Sequence, residues 1–331
     1  AFSRFSVYTL SPDGSQTSNF GLSEKGAYVT ISFGIVIYCF TVACNLILLL
    51  LIAMNKSLHE PMYAFLCNLS INDLIGISAF FPRTMWDMVS EDRSITFPEC
   101  LIQAVCLHMY GGATLLIMSI MAFDRYIAIC YPLRYHNIMT RSCVIKLIVS
   151  AWLSDFLLIC TLFVLTLRFP FCKTALTNFY CDNVSLLRLT CATDTTVNNI
   201  YGLFITGLLH GLGIFSVVFS YTWILVTCLR NKDTESKGKA VHTCATHLLV
   251  FLIYEFSGII IVLVYRLPYF PPLLQKFMSI SFLIFPPSLN PVIYGIKTKA
   301  IQSKLKQMFA NRIFTNHMAT ISWSKTVKSI A

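Results

Sequence analysis

Seven long apolar runs limit what this chain can become. They lie at roughly 27–54, 61–85, 100–127, 143–167, 199–228, 240–265 and 274–296. A helix needs about 20 apolar residues to cross a bilayer. Inside lipid no water is present to bond backbone amides and carbonyls, so a lone run of this length is stable there as a helix. Gly and Pro inside several runs fit that reading, because membrane helices tolerate them. Of the 331 residues, 56% are apolar and only 12% charged, and mean hydropathy is +0.69. A soluble domain carries about 25% charged residues. The expected fold class is therefore an all-α membrane protein, a seven-transmembrane helix bundle. The first run follows a polar segment, with no basic stretch directly before it and no small-residue cleavage site. It reads as a span and not a signal peptide.

Charge sets the expected topology. Of the 25 Lys and Arg, 16 fall on the side of the 54–60 loop, the 125–146 region, the 230–239 loop and the tail after 296. The other side holds 9, together with eight acids against four. By the positive-inside rule the N-terminus is extracellular and the C-terminus cytoplasmic, in a multi-pass protein of the plasma membrane. The chain then divides into an extracellular segment (1–26), the seven-helix domain (27–296), an amphipathic membrane-surface helix (297–310) and a cytoplasmic tail (311–331). Ile301, Leu305, Met308 and Phe309 give that surface helix its apolar stripe. Lys297, Lys299, Lys304 and Lys306 lie around the stripe, facing membrane lipids. No loop combines enough cations with aromatics to bind nucleic acid.

Nine of the thirteen Cys lie in or beside apolar runs. Cys100, Cys172, Cys181 and Cys191 fall on the outer side, where an even number suggests two disulfides; the sequence alone allows three pairings. The sequon Asn183-Val184-Ser185 on the long outer loop is a candidate glycosylation site. Asn68-Leu69-Ser70 lies within a span and Asn55-Lys56-Ser57 on the cytoplasmic side, so both read as chance matches.

Polar residues inside the spans are costly and point to function. They are Asn45, Asp73, the pair Asp124-Arg125, Glu255, and Asn290 beside Pro291. Taken singly, each reads most simply as a helix-packing hydrogen bond. No internal repeat, charged ring or filter-like segment supports a transporter or channel. No His-Glu-x-x-His, Gly-x-Ser-x-Gly or phosphate-binding glycine loop supports an enzyme. Span seven has no Lys in its middle, which excludes a retinal-binding opsin; Lys276 lies at the outer end.

Taken in order, the motifs resemble a known family. They are Asn45, LSIND with Asp73, HEPMYAFLCNLS, Cys100, MAFDRYIAICYPLRY, Trp152, Ser220-Tyr221, KAVHTCATHL with His247, and PPSLNPVIYG with Tyr294. The set resembles rhodopsin-like G-protein-coupled receptors and, within them, class I odorant receptors, over about residues 27–310. The resemblance implies a small-molecule odorant as ligand, a small carboxylate or other water-soluble compound. It also implies a stimulatory, olfactory-type heterotrimeric G protein as partner, with a rise in cAMP. Asp124 would hold Arg125 at rest, and Arg125 would be released towards the G protein and Tyr221. Tyr126, His247, Asn290, Pro291 and Tyr294 would complete the switch. Asn45, Asp73 and Asn290 would form a polar network, with Asp73 able to hold a sodium ion; no other cofactor is implied. The implied disulfides are Cys100–Cys181 and Cys172–Cys191. Three departures stand out. No sequon precedes span one, Cys44 replaces the usual Gly before Asn45, and Tyr254-Glu255-Phe256 stands where Phe-Tyr-Gly is usual. Asp155 in span four is also unusual.

A receptor pocket belongs in the outer half of the bundle. On span three, His108, Gly111 and Gly112 share a face at i, i+3, i+4 spacing; close helix packing at the glycines is the alternative. On span five, Ile205, Leu209 and His210 lie at the right level. On span six, Glu255 and Arg266 are eleven residues apart, which puts them about 20° apart around the helix and roughly 16 Å apart along it. Arg266 with His108 would anchor a carboxylate, or Arg266 would simply extend to water at the membrane border. Glu255 would be the counter-ion of a cationic, amine odorant, or a neutral hydrogen-bonded carboxyl.

Overall fold

The computed structural model describes residues 4–7, 9–10, 16–17, 24–90, 94–176, 178–230, 234–266, 270–308 and 310. Among these, seven helices are long and apolar enough to cross a membrane. They are α1 (Glu24–Met54), α2 (Pro61–Val89), α3 (Phe97–Cys130), α4 (Arg141–Leu167), α5 (Thr196–Arg230), α6 (Thr234–Arg266) and α7 (Pro272–Lys297). Side-chain caps begin two of these helices. Thr96 and Glu99 form a capping box at the start of α3. The Thr140 side chain accepts from the Cys143 amide at 3.3 Å at the start of α4. Before α5, the Thr196 side chain and backbone bond to the exposed Asp194 carboxylate and hold it below the usual carboxylate range. Pro82 in α2 and Pro286, Pro287 and Pro291 in α7 are accommodated within helices.

The distribution of polarity suits lipid. Trp86 and Phe215 are exposed, while Asn45, Asn72, Asp73 and Asp124 are fully buried. Apolar residues outside and polar groups inside is the arrangement that a hydrocarbon solvent favours. Helix α3 occupies the centre and contacts α2, α4, α5 and α6. Its approach to α2 depends on Gly76, where a Cβ would stand 2.5 Å from the Tyr110 ring. Tyr110 is itself fully buried, with Asn72 donating to its carbonyl at 2.9 Å and to Thr114 Oγ1 at 2.9 Å.

The end of the bundle carrying the start of α1 is termed the upper end. Here strand β1 (Arg4–Val7) pairs antiparallel with β4 (Ser94–Thr96) and parallel with β5 (Ala175–Leu176). In register, Phe5 faces Ile95 and Ser6 faces Ala175. Part of the N-terminal segment is thus tied to two loops, and a short hairpin, β2 (Thr9–Leu10) with β3 (Gln16–Thr17), follows it. At the lower end, residues 299–308 are helical. Ile301 is buried, and Leu305 and Met308 pack on the bundle core, as the amphipathic stripe implies. Phe309 and residues 311–331 lie outside the described residues.

Replacing Gly76 by Ala should push α2 from α3 and destabilise the bundle by about 1–3 kcal/mol, the usual cost of overpacking. Thermal unfolding in detergent checks this; an unchanged midpoint would show that Tyr110 gives way freely.

Candidate functional site

At the lower end, Asp124 is fully buried and ion-paired with Arg125. The Arg125 Nε donates to Asp124 Oδ2 at 3.0 Å. The other carboxylate oxygen accepts from the Tyr135 hydroxyl at 2.8 Å. Tyr135 opens the helical turn Tyr135–Ile138 just beyond α3, so the loop itself holds the acid in place. Sequence reasoning missed that role, although Tyr135 is the last residue of the MAFDRYIAICYPLRY segment. Tyr221 is bonded to α6 and not to Arg125. Its hydroxyl donates to the Cys244 carbonyl at 2.9 Å and lies 2.8 Å from His247 Nδ1. Tyr126 faces α5, its ring packed on Phe219 with centroids 5.5 Å apart.

In the middle of the bundle, Asn290 donates to Asp73 Oδ2 at 2.9 Å, joining α7 to α2. Asn45 does not bond to either of them. It donates instead to Thr41 O at 3.0 Å and to the Pro287 carbonyl at 3.1 Å. That carbonyl sits four residues before Pro291, which has no amide hydrogen to claim it, so Asn45 takes the place of the missing helical donor. Tyr294 is fully buried near Pro291 in sequence, its hydroxyl without a partner among the described residues.

A cavity of about 350 Å³ lies in the upper half, among α3, α4, α5, α6, α7 and the loop after α4. His108, Gly111, Gly112, Ile205 and Leu209 all line it. Tyr254 closes its floor: the hydroxyl donates to the Gly111 carbonyl at 2.8 Å, and the ring packs on Phe282 with centroids 5.0 Å apart. His108 donates from Nδ1 to the Ala104 carbonyl at 2.9 Å. That bond fixes the tautomer and leaves Nε2 as its free nitrogen. Gly112 explains the odd Asp155. A Cβ at 112 would collide with the Asp155 Oδ1, so the glycine is what admits the acid beside α3.

The loop after α4 covers the cavity. Disulfides Cys100–Cys181 and Cys172–Cys191 anchor it, and the Cys181 amide donates to Gln103 Oε1 at 2.8 Å. Asp182 caps the short helix Asn183–Leu189, accepting from the Ser185 amide at 2.6 Å.

Two expectations need correction. Glu255 is not among the lining residues; its Oε1 lies 2.9 Å from His210 Nδ1. The lining face of α6 is Tyr254, Gly258, Ile261 and Val262, and Glu255 is turned about 100° from Tyr254 towards α5. Asn183 is not a free glycan acceptor. It is buried, lines the cavity, and accepts from the Thr166 hydroxyl at 2.7 Å. Arg266 ends α6, but its side chain lies outside the described residues.

The family model described as "Olfactory receptor" matches residues 34–312. This chain belongs to the olfactory receptor family. Human olfactory receptor 2T35 is 35% identical over 293 residues, covering 87% of this chain and 89% of that one. Human olfactory receptor 51I2 is 35% identical over 276 residues, covering 83% and 88%. Squid rhodopsin shares the fold, with a TM-score of 0.68 at 17% identity and 87% of each chain covered. The protein is thus a multi-pass membrane receptor of the odorant-sensing, G-protein-coupled kind, and not an enzyme.

Asp124→Asn and Tyr135→Phe should each raise ligand-independent signalling, Asp124→Asn more strongly, because each loosens the hold on Arg125. A reporter assay without odorant checks this; basal signals equal to wild type would remove Tyr135 from the resting lock. Asn183 should carry no glycan, so glycosidase treatment and Asn183→Gln should give the same electrophoretic mobility. A glycosidase shift abolished by Asn183→Gln would overturn the buried role.

Proposed function

We propose that this olfactory receptor binds a small odorant in the 350 Å³ cavity and activates a stimulatory, olfactory-type G protein, raising cAMP. The observation that carries this reading is α3 itself. It lines the cavity with His108, Gly111 and Gly112 and ends, some three turns below Gly112, in the Asp124–Arg125 pair held by Tyr135. A ligand that shifts α3 or the α6 floor at Tyr254 therefore has a packed route to Arg125. In the proposed orientation the upper end faces the outside of the plasma membrane. The Lys and Arg excess at the lower end supports it, as do two disulfides at the upper end, on the oxidising side.

Asp73 Oδ1, Asn45 Oδ1 and Asn72 Oδ1 are buried without partners among the described residues. The unpartnered carboxylate oxygen of Asp73 suits a hard cation, which supports sodium held there. For the odorant, two polarities were expected. A carboxylate would need Arg266 with His108, since the described lining contains neither Lys nor Arg. A cationic odorant is the reading that the cavity favours: Asp182 lines it, and Asp155 and Glu255 stand behind Gly112 and His210.

A cAMP reporter in cells, tested against hexanal, hexanoate and n-hexylamine with Arg125→Ala as control, decides the main claim. At least one odorant should raise cAMP in the wild type and none in Arg125→Ala. A wild-type response that persists in Arg125→Ala would sink the coupling mechanism. Loss of a hexanoate response in Arg266→Ala would restore the carboxylate reading.

A further inference from the structure

His210 and Glu255 form a built pair at the edge of the cavity. His210 on α5 lines it; Glu255 on α6 sits behind, with 2.9 Å between Nδ1 and Oε1. The Glu255 side chain is only 6% exposed, and Oε2 has no partner among the described residues. The sequence of α6 makes space for the ring: a Cβ at Gly258 would stand 2.8 Å from His210 Cε1 and 3.4 Å from Nε2. The carboxylate thus holds the imidazole by Nδ1, and Gly258 leaves room beside Cε1 and Nε2.

We propose that this dyad selects the ligand, which is an amine bound as its ammonium ion at His210 Nε2, with Glu255 supplying the countercharge through the ring. The inference rests on the odorant-receptor reading above and names the ligand class. An isolated charge in an apolar bundle is costly, so an ammonium here needs a countercharge. One ammonium N–H donates to the Nε2 lone pair, while Nδ1–H donates to the Glu255 carboxylate, 2.9 Å away. A carboxylate ligand would instead add an uncompensated negative charge next to Asp182, with no described Lys or Arg in the lining. His210 is the selecting residue; Glu255 is a positioning residue that acts through it.

The cAMP reporter tests this with defined probes. In the wild type, n-hexylamine should activate and hexyltrimethylammonium, a cation with no N–H, should not. Activation by the quaternary ion, or hexanal activating while hexylamine does not, would overturn the proposal and leave the receptor reading intact. Silence to every odorant in a wider panel would count against the receptor reading itself. Glu255→Gln keeps a hydrogen bond to Nδ1 but removes the charge, so amine potency should fall roughly tenfold to a hundredfold relative to hexanal potency. Hexanoate potency should rise in that variant, because the negative charge behind the ring is gone. His210→Phe should lower amine potency by a larger factor than hexanal potency. Unchanged amine potency in Glu255→Gln would show that the dyad is only structural. If that variant fails to reach the surface, the comparison of primary and quaternary amines in the wild type still decides.

Discussion

The close approach of α2 to the Tyr110 ring, permitted by Gly76, is the contact on which the upper half depends. Tyr110 is locked from two sides, by Gly76 and by the Asn72 bond to its carbonyl. Its ring packs on Phe282 of α7 and Tyr254 of α6, which together form the floor of the cavity. A side chain at position 76 would move α3, and through α3 the wall that carries His108, Gly111 and Gly112. The same central helix carries Asp124 at its lower end. Cavity and lock are therefore placed by one element, and a glycine on its neighbour fixes where that element stands.

Several glycines divide the labour in this way. Gly112 admits Asp155, Gly258 admits the His210 ring, and Gly111 offers its carbonyl to Tyr254. In a bilayer, helices gain little from burying Leu against Leu, since lipid is equally apolar. Close packing at small residues and hydrogen bonds between helices take over. The polar pairs here fit that logic: Asn290 with Asp73, Asn45 with the Pro287 carbonyl, Tyr221 with His247, Glu255 with His210.

Much of the fold was legible in the sequence because a membrane leaves few options. The seven runs, the four outer cysteines and the Asp124-Arg125 pair are local signals, readable without tertiary contacts. The cavity was half legible: helical spacing put His108, Gly111 and Gly112 on one face, and all three line it. What spacing could not give was the partner across the gap. Periodicity fixes the direction of Glu255 around α6 only relative to Arg266, not relative to α5, so its contact with His210 is not readable from spacing. Asn183 was read as a glycan acceptor because a sequon carries no information on burial. Tyr135 was missed because its contact with Asp124 arises from the path of the chain after α3, not from any periodic pattern.

Two levels near the middle of α6 link the halves. At the cavity floor, Tyr254 is bonded to α3 at Gly111 and the adjacent Glu255 to α5 at His210. Two turns lower, His247 and the Cys244 carbonyl are bonded to α5 through Tyr221. A ligand that recruits His210 acts on the α5–α6 seam directly, and the same seam is closed below by Tyr221. If the seam opens as a rigid unit, the Tyr221 hydroxyl is freed from both partners on α6. The upper dyad and the lower lock are thus best regarded as two clasps on one helix pair, so the strength of the lower clasp limits how far binding at the upper one can act.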